Sequence, residues 1–442
     1  MSELTQYRIS GRGTAEIAAS VERGIEAGGL EPGDPLPTVR SLAAELGVSP
    51  TTVAAALADL RSRGLVVTRA RSRSYVSWRP PIAGAWFGPT VPAGARDLAG
   101  GNPDPDLLPD LAPFLRRIEP PRRLYGGEPV LPELRELAAA EFGEAEIAAD
   151  EIAVVSGALD GVERALQARL RPGDVVAVED PGYAGLFDLL RAMGLALRPV
   201  PVDARGMTPS GLADAIDDGI AAVIVNPRGQ NPTGASLDKE RAQQLRKALN
   251  GAPDAMVVED DHLGPIAGST RLTLTAGRES WAAARSVAKS LGPDLRLAVM
   301  AGDAQTISRV QGRQSVGPQW VSHLLQRLVA MLWSDPGVAT TLQNAADTYG
   351  ERRERFIASL AERGIEVEAS AGITAWIHVP EEAQIVQALL EQGWAVSPGA
   401  PYRLRSERAI RVTMSTLKKS EADKLSAAIE SAMRPTEHAR TA

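Results

Sequence analysis

The chain contains no cysteine among its 442 residues, which excludes disulfide frameworks, thiolate nucleophiles and cysteine-ligated metal sites. It also lacks a signal-peptide core near its start and any uncharged apolar run of about eighteen residues. We therefore expect a cytoplasmic protein that does not enter a membrane. Its composition, 44% hydrophobic and 23% charged, is that of a soluble chain long enough for about two or three domains.

The formal net charge is −7, which argues against indiscriminate binding to nucleic acid. The charge is unevenly distributed, however, because six arginines and no acidic residue lie between Arg61 and Arg79. Such a run can be nothing more than a solvated surface. Whether it contacts a polyanion depends on the structure predicted around it.

The residues before this arginine run predict three helices. Apolar residues at helical spacing predict a first helix over 14–29, and a second over 38–46 is ended by Gly47. Ser49 is a good N-cap for a third helix over 50–63. The last two helices are separated by only three residues, which is the pattern of a helix-turn-helix.

Two short strands, 65–68 and 74–77, are predicted next, and the arginine-bearing segment RARSR joins them as a wing. The stretch LEPGDPLPTVRSLAAELGVSPTTVAAALADLRSRGLVV resembles the GntR family of winged-helix regulators. This resemblance implies a set of residues that face double-stranded operator DNA: Arg40, Ser49, Thr51, Thr52, Arg69, Arg71 and Arg73. Thr51 and Thr52 can also be explained by ordinary helix N-terminal chemistry. The family usually has glycines in place of Arg71 and Arg73, so we expect side-chain contacts with phosphate here.

A stretch rich in Pro, Gly and Ala over 78–96 is predicted to be a linker between a DNA-binding domain, 1–77, and a second domain, 97–442. Within the second domain apolar runs alternate with helical patterns, which predicts an open, mainly parallel α/β sheet. The runs are 152–155, 175–178, 221–225, 256–258 and 297–301. Ligands of such sheets bind beyond the carboxyl ends of the strands, so polar residues there are candidates for a site.

Three such positions stand out. The residues from Ser156 to Leu159 open a helix whose free N–H groups can bind an anion, although a simple capped helix start would look the same. Tyr183 can cover a planar ligand or lie on the surface. Asp260 can hold a ring nitrogen protonated or, with His262, bind a metal. No further histidine or acid falls at ligand spacing, so we predict no metal site.

Lys289 is the most informative residue, because the chain has six lysines and the other five lie in charged helical contexts. Lys289 instead stands between small residues directly before an apolar strand. A partly buried lysine with a lowered pKa can form a Schiff base with an aldehyde. A lysine that extends to the surface is the alternative reading.

Taken together, these segments resemble fold-type I aminotransferases, which use pyridoxal 5'-phosphate (PLP), and with the first domain they resemble the MocR subfamily of GntR regulators. The motifs GNPDPDLLP, YGGEPVLPELREL, EDPGY, NPTG, EDDH, SVAKSLGPDLRLA and AIRVTMSTL stand in the family's order. The resemblance implies an α/β fold with a large part over about 97–330 and a smaller α+β part over about 331–435. It also implies a homodimer.

Position by position, the resemblance implies that Lys289 forms the internal aldimine with PLP, that Asp260 pairs with the pyridine nitrogen, and that Arg411 binds a substrate carboxylate. It also implies a set of residues around the cofactor: Asn231 at the ring hydroxyl, Tyr183 on the ring, Gly157, Ala158, Ser286 and Arg296 at the phosphate, and Tyr125 from a second subunit. His262 replaces the usual tyrosine beside the ring hydroxyl, which makes full transaminase turnover less secure than cofactor binding.

Three functions compete at this point. The chain can be a DNA-binding regulator that senses an amino compound or PLP, a working aminotransferase with an incidental N-terminal domain, or a PLP-free scaffold that dimerises. The intact recognition helix and the basic wing favour the first, with little or no turnover. The sequence leaves open the effector, the operator, and whether transcription is activated or repressed.

Overall fold

The computed structural model describes residues 7–26, 29–30, 33–62, 65–69, 73–76, 91–119, 124–147, 149 and 151–434. The chain forms two compact units, the smaller built mainly from the residues before Phe87 and the larger mainly from those after it. No single helix in these ranges is long and apolar enough to span a membrane; only the strongly bent pair Val39–Leu46 and Pro50–Arg61 passes such a test together.

The smaller unit contains three helices and a two-stranded antiparallel hairpin: α1 (Thr14–Glu26), α2 (Val39–Leu46), α3 (Pro50–Ser62), β1 (Val66–Arg69) and β2 (Arg73–Val76). The predicted caps are confirmed. The Thr38 side chain accepts a hydrogen bond from the Ser41 N–H at 3.2 Å, and Gly47 ends α2 in the left-handed region with φ 65°. Ser49 Oγ accepts from the Thr52 N–H at 3.1 Å at the start of α3.

A core of fully buried side chains joins the three helices of the smaller unit to its hairpin. Its members include Ile17 from α1, Leu42 from α2, Leu57 and Leu60 from α3, and Val66 from β1. Burial of these apolar side chains fixes the angle between α2 and α3, since neither helix is long enough to be stable alone. The helix-turn-helix and its wing are therefore positioned by one common core.

The larger unit is organised around one mixed sheet in the order β4-β11-β10-β9-β8-β5-β6-β7. The strands of this sheet are β4 (Ile152–Val155), β5 (Val175–Asp180), β6 (Ala196–Asp203), β7 (Gly206–Met207), β8 (Ala222–Val225), β9 (Met256–Asp261), β10 (Trp281–Ser286) and β11 (Ala298–Gly302). Strands β5, β8, β9 and β10 pair in parallel, and β11 is antiparallel to both of its neighbours.

Smaller strands and helices make up the rest of the described chain after Phe87. The remaining strands are β3 (Arg96–Asp97), β12 (Thr374–His378), β13 (Trp394–Ala395), β14 (Ser397–Pro398) and β15 (Ala409–Thr413). The α-helices are α4 (Ala112–Leu115), α5 (Pro132–Gly143), α6 (Ala158–Arg169), α7 (Ala184–Ala192), α8 (Pro209–Asp217), α9 (Lys239–Leu249), α10 (Ala288–Leu291), α11 (Ala304–Ser315), α12 (His323–Trp333), α13 (Pro336–Ala361), α14 (Glu382–Glu391) and α15 (Lys419–Met433). Strands β12, β15 and β14 form a three-stranded sheet whose core includes Phe356, Ile377 and Leu425.

The predicted mainly parallel α/β sheet is confirmed, with two differences. Strands β6, β7 and β10 were not predicted, since the alanine-rich run of β10, the two prolines of β6 and the short length of β7 give weak strand signals. Strands β5 and β9 extend further than predicted, to Asp180 and Asp261, because hydrogen-bond partners satisfy these two terminal aspartates, which by composition favour a loop.

Candidate functional site

The carboxyl ends of the parallel strands and the start of β11 meet at one edge of the large sheet. Strand β11 runs antiparallel to β4, with Ala298 opposite Val155, so the residues before β11 lie beside those after β4. This register brings Arg296 next to Ser156, whose carbonyl accepts a hydrogen bond from Arg296 Nη2 at 3.4 Å. The polar segments that follow β4, β9 and β10 therefore share one edge.

The N-terminus of α6 lies beside the guanidinium of Arg296. Gly157 caps this helix with φ 109°, and a Cβ there would lie 3.2 Å from Arg296 Nη2. The glycine is required both by its backbone angle and by this close approach. Ala158 begins the helix, so its N–H is one of the donors without an intrahelical partner. Together with the Arg296 guanidinium, these groups are donors of the kind that can bind a phosphate-sized anion.

Lys289 lies in α10, three residues after the end of β10. Its ammonium group donates a hydrogen bond to the Gly101 carbonyl. Burial, with the charge of Arg411 adding to it, lowers the pKa of Lys289 to about 8. Ser286 stands at the end of β10, where its hydroxyl accepts from the Ala288 N–H at 3.2 Å. Lys289 is thus partly buried, as expected, and near neutrality much of it is still protonated.

Asp260 is the second-last residue of β9. It is 5% exposed, and its carboxyl Oδ1 has no hydrogen-bond partner. Burial, assisted by the negative charge of Asp261, raises the pKa of Asp260 to about 7. The Asn226 side chain fixes this part of the strand by donating to the Asp260 carbonyl at 2.8 Å. An unsatisfied buried acceptor of this kind is costly to the fold, and it suits a cationic N–H donor supplied by a ligand.

The next residue, Asp261, has the opposite surroundings. Arg228 Nη2 and Arg285 Nη1 each donate to Asp261 Oδ2 at 2.7 Å, and all three side chains are buried. Burial raises the pKa of Asp261, but the two guanidinium groups outweigh it and hold the pKa at about 2. The opposite charges of this cluster pair with one another, although Arg285 Nε is buried without a hydrogen-bond partner, and we assign the cluster a structural role.

Arg411 in β15 is 3% exposed. Its guanidinium lies beside Gly101, the residue whose carbonyl accepts the hydrogen bond from Lys289. Nη2 donates to the Ala99 carbonyl, Nη1 donates to Asn231 Oδ1 at 3.2 Å, and Nε is buried without a partner. Asn231 is therefore positioned beside the carboxylate-binding candidate. A buried guanidinium with unused donors can bind a planar carboxylate.

Tyr183 and His262 border the same space. Burial raises the pKa of Tyr183 to about 12, and Asp260, Arg411 and Arg296 all act electrostatically on it. Burial lowers the pKa of His262 to about 4, and the charge of Lys289 lowers it further, so His262 is neutral at physiological pH. A neutral imidazole can donate one hydrogen bond and accept another. In the described part of the chain, no group of three His, Cys, Asp or Glu side chains could hold a metal ion.

The structure thus brings together most of the residues that the sequence predicts for this site: Lys289, Asp260, His262, Tyr183, Asn231, Arg411, Arg296, Gly157, Ala158 and Ser286. Tyr125 is different. It is 83% exposed and makes an edge contact with Trp320, with ring centroids 5.8 Å apart. No contact within the described ranges joins Tyr125 to the other site residues, and its role toward a second subunit stays a prediction.

On the smaller unit, the predicted DNA-facing residues of the helix-turn-helix are accessible. Arg40, Ser49 and Thr51 are exposed, and Ser49 Oγ is 2.7 Å from the hydroxyls of both Thr51 and Thr52. On the wing, the side chain of Arg73 is exposed. The side chain of Arg69 and the whole of Arg71 lie outside the described residues.

Two side chains near the site were not singled out from the sequence. The Glu179 carboxyl accepts from the Asn226 N–H at 3.2 Å, and burial raises its pKa to about 8. Tyr402 lies against Arg411 with its ring centroid 4.5 Å from the guanidinium carbon. Glu179 was visible within the motif EDPGY, which could have drawn attention to it. No signal in the sequence indicated Tyr402, because its place in the site is set by a turn that lies far from Asp260 and Lys289 in the chain.

Family models match most of the chain. The model described as "Aminotransferase class I and II" matches residues 96–429, and that of "Bacterial regulatory proteins, gntR family" matches residues 14–76. The described folds agree with both matches: a mixed sheet with mostly parallel strands in the larger unit, and a winged helix-turn-helix in the smaller one.

Curated relatives combine the same two parts. The chain is 39% identical to the vitamin B6 salvage pathway transcriptional repressor PtsJ of Salmonella typhimurium, over 96% of this chain and 99% of the relative. It is 31% identical to the pyridoxine biosynthesis transcriptional regulator PdxR of Corynebacterium glutamicum, over 56% of this chain and 55% of that protein. It is 27% identical to the probable rhizopine catabolism regulatory protein MocR of Rhizobium meliloti, over 76% of this chain and 74% of that protein.

Solved structures share the fold of the larger unit. An archaeal alanine:glyoxylate aminotransferase aligns with a TM-score of 0.70 and 22% identity, covering 77% of this chain and 90% of that enzyme. The α-aminoadipate aminotransferase LysN of Thermus thermophilus, complexed with N-(5'-phosphopyridoxyl)-L-leucine, aligns with a TM-score of 0.67 and 22% identity, covering 77% and 92%. At these identities the likeness concerns the fold alone.

Proposed function

Since the chain belongs to the MocR subfamily of GntR transcription regulators, with a winged helix-turn-helix and a fold-type I aminotransferase-like domain, we propose that it binds PLP and changes its affinity for operator DNA when the site is occupied. The observation that carries the proposal is the unpartnered Oδ1 of buried Asp260, at the edge of the sheet that also holds Lys289. Two relatives named for vitamin B6 pathways support the choice of PLP.

The chemistry of the donor set suits PLP. When bound, PLP supplies an aldehyde that condenses with amines and a ring nitrogen that is readily protonated. Asp260 would accept a hydrogen bond from that nitrogen, which would satisfy its free oxygen and favour its charged form. The N-terminus of α6, with Gly157 and Ala158, would hold the phosphate together with Ser286 and Arg296.

The other predicted residues have complementary tasks. Lys289, with a pKa of about 8, would offer its neutral amine to the aldehyde at lower cost than an ordinary lysine. Asn231 would donate to the ring hydroxyl, and Tyr183 would cover the ring. Arg411 has unused donors for the carboxylate of an amino acid.

We infer little or no enzymatic turnover. His262 stands where the family usually has a tyrosine. The neutral imidazole can still donate a hydrogen bond to the ring hydroxyl, but its acidity differs from that of a phenol, so it would tune the reactivity of bound PLP differently. Binding without turnover is what a sensor requires. The effector is then PLP itself or an amino compound that reacts with bound PLP.

The experiment is an absorbance spectrum of the purified protein with PLP, followed by borohydride reduction and mass spectrometry of the modified peptide. The wild type should retain PLP and be modified at Lys289. Lys289→Ala should lose both the visible band and the modification, whereas Lys247→Ala, which removes an exposed lysine of α9, should keep them. An unchanged covalent adduct in Lys289→Ala would reject the assignment.

We further propose a homodimer in which Tyr125 reaches the phosphate site of the partner. The support is a set of large apolar side chains left exposed: Leu115, Leu124, Tyr125, Val316 and Leu324. A twofold regulator would also match paired operator half-sites. Light scattering should give twice the chain mass at micromolar concentration, and a monomer would contradict this proposal.

The domain limits 1–77, 78–96 and 97–442 also remain proposals. Limited proteolysis should cut first within 78–96 and leave fragments that correspond to the two family matches. Early cleavage within either fragment would contradict these limits.

A further inference from the structure

The guanidinium group of Arg411 is covered on one face by the ring of Tyr402. The guanidinium carbon lies 4.5 Å from the ring centroid, and both side chains are buried. We infer that Tyr402 is a positioning residue that orients Arg411 and so sets the preference of the site for ligands that carry a carboxylate. This inference rests on the function proposed above.

The contacts of Arg411 define its plane. Nη2 donates to the Ala99 carbonyl and Nη1 donates to Asn231 Oδ1 at 3.2 Å, so two of the five N–H groups are used within that plane. Tyr402 restrains the group from one face by attraction between the cation and the ring. A ligand is therefore left with the edge of the guanidinium, which includes the buried, unpartnered Nε. Approach along this edge is the geometry in which a planar carboxylate binds arginine with two hydrogen bonds.

Tyr402 is itself held in place from the large sheet. Its carbonyl accepts from the Gly182 N–H at 2.7 Å. Asp180, the last residue of β5, accepts 2.7 to 3.0 Å hydrogen bonds from three consecutive backbone N–H groups that follow the tyrosine: those of Leu404, Arg405 and Ser406. The turn that carries Tyr402 is thereby fixed to the same strand end that carries Tyr183. Trp376 supports the ring from its edge, with centroids 6.3 Å apart.

Arg411 makes no direct ion pair with a carboxylate in the described part of the chain, and its hydrogen bonds go to a backbone carbonyl and an amide oxygen. The charge of Asp97 acts on it electrostatically without a hydrogen bond between the two. Within the protein the buried cation is therefore stabilised by Asp97 and by the face of Tyr402, and a ligand carboxylate would be its direct ionic partner. Removal of the aromatic face should weaken the binding of a ligand with a carboxylate more than it weakens the binding of PLP or of an amine without a carboxylate.

The test compares two probes that differ only in the carboxylate, L-alanine and ethylamine. Each is titrated into the PLP-loaded protein while the absorbance of bound PLP is followed. The variants are Tyr402→Phe, which keeps the ring, and Tyr402→Leu, which removes it. Tyr402→Met is a second ring-free variant, because its unbranched side chain can fill the space beside Trp376 if leucine disturbs folding. PLP retention equal to the wild type shows that each variant is folded.

The wild type should bind L-alanine more tightly than ethylamine, and Tyr402→Phe should keep that preference. In Tyr402→Leu and Tyr402→Met the preference should fall about tenfold, with the affinity for ethylamine unchanged. A wild-type preference in both ring-free variants would overturn the inference, as would an equal loss of affinity for both probes, which indicates a merely structural role.

The outcome also separates this inference from the function on which it rests. If the wild type binds PLP but does not prefer L-alanine to ethylamine, Arg411 is not a carboxylate site and the inference about Tyr402 fails with it, while PLP binding stands. If the wild type binds no PLP, the proposed function fails first. Arg411→Lys gives the reference, since it keeps the charge but loses the planar donor pair and should abolish the preference.

Discussion

Asp260 and Asp261 are consecutive residues of one buried strand, but their electrostatic surroundings differ. Asp261 is bound by two buried arginines and its pKa is held at about 2, whereas Asp260 keeps a free oxygen and its pKa is raised to about 7. Successive side chains of a strand point to opposite faces, so one acid lies in the arginine cluster and the other in the candidate site. Burial is common to both, and the presence of a partner decides the difference.

Two kinds of buried charged group can thus be distinguished: those that pair with one another and stabilise the fold, and those that have no ionic partner within the described chain. In the cluster of Arg228, Asp261 and Arg285 the opposite charges pair with one another. In contrast, Asp260 Oδ1 is buried without a partner, the hydrogen bonds of Arg411 go only to neutral oxygens, and Lys289 has a lowered pKa. Perturbed and unsatisfied groups gathered at one edge of a sheet are the physical mark of a binding site.

The largest effect on stability is expected at Asp261, whose charge is paired with two arginines. Asp261→Asn would leave two buried guanidinium groups without their anion, so we expect it to lower the free energy of unfolding by about 3 to 5 kcal/mol. Urea denaturation of wild type and variant measures this loss. A variant as stable as the wild type would show that the cluster is not structural.

The neighbouring substitution should leave stability intact and affect the ligand. Asp260 is near its pKa at neutral pH, so Asp260→Asn replaces a half-protonated group with a neutral one of equal shape and should not lower stability. PLP affinity should fall by about tenfold to a hundredfold, because a hydrogen bond to a charged group is lost. Absorbance titration with PLP measures the change, and an unaltered affinity would remove Asp260 from the site.

Arg40 and Arg73 of the DNA-binding unit are exposed, so their charges can be compared with the buried ones. Each arginine that contacts a DNA phosphate should contribute about one to the slope of log affinity against log salt concentration. Replacement of Arg69, Arg71 and Arg73 with alanine should therefore flatten the slope, and Arg40→Ala should do so to a smaller degree. Lys247→Ala, in the larger unit, is the control. An unchanged slope would exclude the wing from the interface.

A smaller effect should come from Glu179, whose folded pKa of about 8 lies above its ordinary value of 4.5. The folded state then binds more protons than the unfolded state, so this group costs stability as pH rises from about 4.5 to about 8. Glu179→Gln should remove that cost. Its melting temperature relative to wild type should rise by a few degrees between pH 5 and pH 8, as thermal unfolding would measure. An equal difference at both pH values would contradict the assigned pKa.

Much of this architecture could be predicted from the sequence, because its signals are local. Thr38, Gly47 and Ser49 mark the ends of the DNA-binding helices through their own backbone and side-chain chemistry, and the structure confirms them. The strand β4 and the helix that opens at Gly157 were likewise predicted from adjacent residues. Cofactor residues were assigned through motifs, and their roles stay predictions.

Other features depend on residues far apart in the chain. The pairing of Arg228 with Asp261 arises only when β8 and β9 pair in the sheet. The position of Tyr402 beside Arg411 depends on the turn after Tyr402, which Asp180 of β5 holds by hydrogen bonds. Strand β10 was missed because WAAARS has no β-branched residue and becomes a strand through its two neighbours. The different pKa values of the two adjacent aspartates could not be predicted from the motif EDDH, since they are set by partners that the motif does not contain.

The central claim is that occupation of the Asp260 and Lys289 site changes operator affinity. It is tested most directly by measuring operator binding with and without PLP and a panel of amino acids, in wild type and in Lys289→Ala. Coupled sites typically change affinity by a factor of about 5 to 150, so a ligand should alter wild-type operator affinity within that range and leave Lys289→Ala unaffected. Wild-type operator affinity that does not change with the ligand, together with sustained keto-acid production, would contradict the proposal of a sensor and favour an enzyme.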